Sequence, residues 1–117
     1  MSPLIRAVID TRALRANLAR IRQAAPRSKV MAVVKANAYG HGLVGAALAL
    51  GDADAFAVAR IEEAFALRSA GVDRPIVLLE GVVNALQLEE AAQLQLDLVV
   101  HDPLQIELLE AYSGAHR

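Results

Sequence analysis

Four short runs in this chain, "KVMAVVKA", "DAFAVAR", "PIVLLEG" and "DLVVH", are almost continuously apolar, and each is followed by a stretch with helical spacing. Runs of this length without alternation suit strands buried on both faces. Strand alternating with helix across short connections implies parallel strands joined by right-handed crossovers, hence an α/β fold. Four βα units are legible in this way. They follow a short extended segment, Leu4 to Ile9, and an amphipathic helix in "DTRALRANLARIRQAA". In that helix Leu14, Leu18 and Ile21 share one face and Arg15 and Arg22 another, with Asp10 or Thr11 as cap.

The intervening helices carry start and stop signals. Gly51 and Gly71 fall where a helix would end in a left-handed residue, Asn84 can cap the third helix, Asp102 with Pro103 opens the last, and Gly114 closes it. An apolar fraction of 56% exceeds the roughly 45–50% of ordinary domains and fits many buried helix faces. At 117 residues the chain is one compact unit by size.

Composition also narrows function. Twelve basic residues against thirteen acidic give no field to attract a nucleic acid or an anionic membrane surface. The chain contains no cysteine, so disulfides, thiolate metal sites and a cysteine nucleophile are excluded. Its longest apolar runs are too short for a bilayer, and "MSPLIRAVID" lacks the apolar centre of a signal peptide; the expectation is a cytoplasmic, soluble protein.

Each apolar run closes on a polar residue: Lys35, Arg60, Glu80 and His101. In parallel α/β architectures ligands bind at the carboxyl ends of the strands, where loops and helix N-termini converge. Arg60, Glu80 and His101 taken singly also read as the polar edge of a sheet. Lys35 differs, because it ends the apolar stretch of "AVVKANAYGHG". By alternation Met31, Val33 and Lys35 share one strand face and Ala32, Val34 and Ala36 the other. On an inward face, desolvation lowers a lysine pKa and leaves a neutral amine, fit to attack a carbonyl or to act as a general base. Gly40 and Gly42 permit close backbone approach, the helix after them favours an anion, and Tyr39 offers a hydroxyl donor. A lysine that snorkels out beside an ordinary glycine turn satisfies the same spacing.

The stretch "AVVKANAYGHG" resembles the cofactor-lysine motif of alanine racemases, pyridoxal-phosphate enzymes of fold type III with an amino-terminal α/β barrel. Similarity continues through "AVIDTRALRANLARIR" and "AFAVARIEEAFALRSAGVDRPIVLLEG". The resemblance implies that Lys35 holds pyridoxal 5'-phosphate as a Schiff base and serves as the base on the D-alanine side. It further implies that Tyr39 hydrogen-bonds the cofactor phosphate and that Val33 and Leu79 line the cofactor site from inside the barrel. Asn37, Gly40, His41 and Gly42 then shape the turn, His41 as a hydrogen-bonded loop histidine rather than a base.

A (βα)8 barrel needs eight strands and about 250 residues. Residues 1–117 are therefore expected to form the amino-terminal part of a TIM-like barrel, about half of it, without the remaining strands or the carboxy-terminal β domain. In the family that β domain supplies the second base, a tyrosine from the other subunit of a homodimer. The segment Leu4 to Ile9 is expected to pair with it. Tyr112 is expected to pack with Leu108 and Leu109 and not to be that base. Two open edges and an uncovered interior imply self-association. Other readings are a racemase of another small amino acid, a non-catalytic pyridoxal-phosphate-binding barrel, an inactive fragment, and a Schiff-base aldolase.

Overall fold

A computed structural model describes residues 11–34 and 42–112. The order of elements is α1 (Thr11–Ala24), β1 (Met31–Val33), α2 (Gly42–Ala49), β2 (Ala55–Val58), α3 (Ile61–Ser69), β3 (Ile76–Leu78), α4 (Ala85–Gln93), β4 (Asp97–Leu98) and α5 (Pro103–Ala111). The segment Leu4 to Ile9, the caps at Asp10 and Gly114, and the stretch from Lys35 to His41 lie outside the described residues.

The four strands form one parallel sheet in the order β1-β2-β3-β4. Register aligns Ala32, Phe56 and Ile76 across the sheet, and Val58, Leu78 and Leu98 two rows on. Neighbouring parallel partners share a face, so Val34, Phe56, Val58, Ile76 and Leu78 point the same way. All five are buried in one cluster with Leu18 of α1, Ala47 of α2, Ala64 and Leu67 of α3, and Leu88 and Ala91 of α4. The helices thus cover one face. Sequential strand order with one-sided helices is the geometry of a barrel wall, whereas a doubly wound sheet carries helices on both faces. The structure is about half of such a wall.

One-sided cover corrects the expectation of strands buried on both faces. On the far side Met31 is 47% exposed, Val33 55% and Val99 36%, because no described residue packs over them. Small Ala57, flanked by Val33 and Val77, is fully buried there all the same.

Helix signals divide similarly. Asn84 Oδ1 accepts from Gln87 N at 2.8 Å, and Asp102 Oδ1 from Leu104 N at 2.9 Å with Pro103 in the first turn, as expected. Gly71 ends α3 at φ +92°. Gly51 is not left-handed; its N–H reaches back to Leu48 O at 3.3 Å in a tight turn. Ile21 does not join Leu18 in the core but stands 51% exposed, since α1 packs on α2 and burial ends one turn earlier.

The amino-terminal end of the sheet is tied by two arginines. Arg68, in the last turn of α3, donates to the carbonyls of Val72, Arg74, Leu94 and Gln95 at 2.8–3.2 Å, joining the turns that precede β3 and β4. Arg22 donates to the Asp52 carbonyl and pairs with Asp54 at 3.3 Å, while Asp54 Oδ2 accepts from Val30 N at 2.6 Å. That backbone N–H, opposed by desolvation and aided by the charges of Arg22 and Lys29, holds the Asp54 carboxyl below its ordinary 3.8. A depressed carboxylate pKa stabilises the fold above the unfolded value and loses that contribution as pH falls through the folded one. The stability advantage of the native chain over Asp54→Asn is therefore expected to be largest near neutrality and to shrink as pH drops below 3.8, read from urea midpoints at each pH. An advantage constant from neutral pH to pH near 2 would contradict it.

Candidate functional site

The carboxyl ends of the strands are held by one device used three times. Glu63, Gln87 and Gln105 each occupy the third position of their helix, and each side chain turns back onto the loop before it. Glu63 Oε1 accepts from Ala59 N and Arg60 N, both at 2.9 Å. Gln87 Oε1 accepts from Val83 N at 2.9 Å, and Gln105 Oε1 from His101 N at 2.8 Å. Backbone donors that the parallel ladder leaves unused at the strand ends are thus satisfied. The signal, a Glu or Gln three residues after the cap, is present in "RIEE", "NALQ" and "DPLQ", although the sequence reading passed over it.

Gln105 extends its grip to the neighbouring unit. Only 4% exposed, it donates through Nε2 to Val82 O at 3.1 Å and Glu80 O at 3.3 Å. His101 Nε2 lies 3.0 Å from the same Glu80 carbonyl, to which its ring N–H donates. Between these contacts Gly81 adopts φ +70°, and a Cβ there would fall 2.5 Å from both Val99 O and Gln105 Nε2. Only glycine meets the left-handed backbone and the close approach together. The β3–α4 loop is thereby locked onto the β4–α5 loop.

Arg60, Glu80 and His101 sit beside one another at this end, but as loop residues. β2 stops at Val58, β3 at Leu78 and β4 at Leu98, two or three residues before them. They are corrected from strand ends to cap and turn positions: the following helix takes the N–H of Arg60 through Glu63 and that of His101 through Gln105, while Glu80 lies in the turn after β3, its carbonyl held by Gln105 and His101. A cleft of about 410 Å³ runs between the α3 and α4 N-termini, lined by Arg60, Glu62, Glu80, Gln87 and Glu90 among others. Three carboxylates against one guanidinium do not suit a phosphate.

Two of the site residues read from the sequence are described. Val33 projects from the helix-free face of β1, in register with Ala57 and Val77. Leu79, half-buried, follows β3 by one residue, and its N–H continues the ladder to Val58 O at 2.8 Å. Alternation puts Leu79 on the face of Val77 and Val33. Lys35 and Tyr39 lie outside the described residues. Val33 and Leu79 offer an apolar floor, beside locked loops, that fits the ring of a flat aromatic cofactor; among the described residues nothing at this end offers it a phosphate cradle. Tyr112 packs with Leu108 and Leu109 against the core. Burial, and then Glu89, raise its hydroxyl pKa above the ordinary value, which disfavours the ionised form a base requires.

Comparison with known proteins bears on this arrangement. The family model described as "Alanine racemase, N-terminal domain" matches residues 9–117. An alanine racemase of Pectobacterium carotovorum is 57% identical over 104 residues, which cover 89% of this chain and 29% of that protein. One of Nitrosococcus oceani is 59% identical over 104 residues, with the same coverage. Among solved structures, the biosynthetic alanine racemase of Pseudomonas aeruginosa superposes with TM-score 0.83 at 44% identity, over 91% of this chain and 30% of its own. The alanine racemase of Bacillus anthracis with bound L-Ala-P gives 0.79 at 30% identity, over 98% and 31%. The chain spans about three tenths of the length of these relatives.

Proposed function

Because the chain belongs to the alanine racemase family, matched over residues 9–117, we propose that it is the cofactor-lysine-bearing part of an enzyme that interconverts L-alanine and D-alanine. The supporting observation is the similarity of the chain, "AVVKANAYGHG" included, to alanine racemases on a half-barrel whose open face holds Val33 and Leu79. In the sequence the lysine comes two positions after Val33, where the alternation expected of a strand would turn it to the same face.

Pyridoxal phosphate, when bound, supplies an electron sink that absorbs the charge left when the α-proton departs. This chain's share is to hold and deprotonate. Lys35 would hold the cofactor through its amine, and its Nζ would serve as the base that holds the α-proton on one face. Tyr39 would donate to its phosphate. Val33 and Leu79 would line the cofactor ring, and Gln105, through the Glu80 and Val82 carbonyls, holds the loop that follows Leu79. Racemisation needs a second base on the opposite face, to be supplied by parts that the longer relatives possess beyond this region. A homodimer and a cytoplasmic setting belong to the same proposal, and no helix among the described residues is long and apolar enough to cross a membrane.

The chain contains only two lysines, which makes the reading testable. Lys29 is exposed at the amino-terminal end of the sheet, the far end from the candidate site. Incubation with pyridoxal phosphate, borohydride reduction and peptide mapping are expected to place the label on Lys35 in clear preference to Lys29 and the amino terminus. Equal labelling of the two lysines would remove the support for a preorganised amine.

A further inference from the structure

The helix-free face of the sheet is furrowed along β2. That strand turns Phe56 and Val58 to the helices and, by alternation, Ala55, Ala57 and Ala59 to the other side. Register flanks the alanines with longer side chains, Met31 and Val33 on β1 and Val77 on β3. The ladder continues past both junctions: Val34 N donates to Ala57 O at 2.9 Å and Leu79 N to Val58 O at 2.8 Å, which sets Leu79 beside Ala59. Ala57 is fully buried between its neighbours, whereas Ala59, at the carboxyl end, is only half-buried. We propose that Ala59 is a further residue of the cofactor site, a side chain whose smallness makes the room in which the ring of pyridoxal phosphate lies.

This inference rests on the racemase reading and adds to it a residue that no motif marks. Leu79 is the neighbour of Ala59 on one side of the sheet. On the other, the register of Val33 with Ala57, continued by two residues, would bring position 35 beside it. An anchoring amine and an apolar wall would then stand two strand spacings apart, about 10 Å, with a single methyl group between them. That interval admits one six-membered ring with its substituents, and a branched side chain at position 59 would fill it. The backbone is held as well. Glu63, 6% exposed, accepts from Ala59 N and Arg60 N, both at 2.9 Å, and ties this strand end to the first turn of α3, so that the chain does not draw back to house a larger side chain.

Cofactor affinity tests the assignment, read from the absorbance band of bound pyridoxal phosphate as it is titrated into the cofactor-free, full-length racemase built on this chain. Ala59→Ser is expected to stay within about twofold of the native affinity, Ala59→Val to bind about tenfold more weakly and Ala59→Leu about a hundredfold. The urea midpoints of the three cofactor-free variants are expected to stay at the native value, since the side chain is half-buried rather than closely packed. Unchanged affinity in Ala59→Leu, with the native protein binding the cofactor, would overturn the assignment and leave the racemase reading standing. So would a loss of affinity matched by an equal fall in the cofactor-free midpoint, which is the mark of an alanine that serves packing alone. A native protein that takes up no cofactor would overturn both.

Discussion

Lys35→Ala is expected to lower alanine racemisation by at least about a thousandfold in a full-length racemase built on this chain, because on the proposed function it removes both the covalent anchor and one of two proton carriers. Lys35→Arg is expected to fail nearly as badly. A guanidinium keeps the charge and the length but has no accessible neutral form, so it can neither attack a carbonyl nor accept a proton. A merely electrostatic lysine would tolerate arginine. Adding a small primary amine such as methylamine to Lys35→Ala is expected to restore part of the rate, with a pH dependence that follows the pKa of the added amine. D-alanine formation from L-alanine, followed by a coupled assay in host material free of racemase, measures all three. Retention of more than a tenth of native activity by Lys35→Ala would exclude this lysine as anchor and base. The 117-residue chain alone is expected to give no detectable turnover, since a planar intermediate must be approached from both faces.

The same chemistry explains which parts of the site were legible. The lysine and its glycine-rich continuation were found through the resemblance of an eleven-residue stretch, while alternation contributed only the face, by placing Lys35 with Val33. The alanine and leucine repeats that marked the helices say nothing of chemistry. Four apolar runs read as parallel strands because each is covered by a helix on one side, and the one-sidedness itself was beyond reach, since an apolar run is the same letters whether its second face is buried or awaits a partner. The lock at the carboxyl ends shows a second limit. Gly51 and Gly81 look alike in a sequence, yet only Gly81 is left-handed, at φ +70°, because its neighbours Val99 O and Gln105 Nε2 come from the next unit. Glu63, Gln87 and Gln105 were recoverable, as local cap spacing alone predicts their bonds. Arg68 was partly so: its place in the last helical turn is a local signal, but its four carbonyl partners are set by tertiary packing.

Stability should hang on one aromatic residue. Phe56 and Phe65 are the only phenylalanines, and the fold treats them oppositely: Phe56 is 1% exposed at the centre of β2 and Phe65 is 61% exposed on α3. Phe56 shares one buried cluster with Ala47, Ala64 and Ala91 of the helices and with the larger Leu18, Leu67, Ile76, Leu78 and Leu88. Phe56→Ala removes the largest fully buried side chain of the core, and the expected loss is about 4 kcal/mol. In a small domain worth about 5–15 kcal/mol in total, this is between about a quarter and four fifths of the stability. Phe65→Ala, by contrast, is expected to change stability by less than about 0.5 kcal/mol. Urea unfolding of the two variants at one fixed protein concentration compares them directly, since self-association would otherwise shift each midpoint by mass action. Equal losses in the two would mean that the alanine-rich layer closes over a missing ring, and that the core is held by helix-to-sheet approach rather than by the side chain between them.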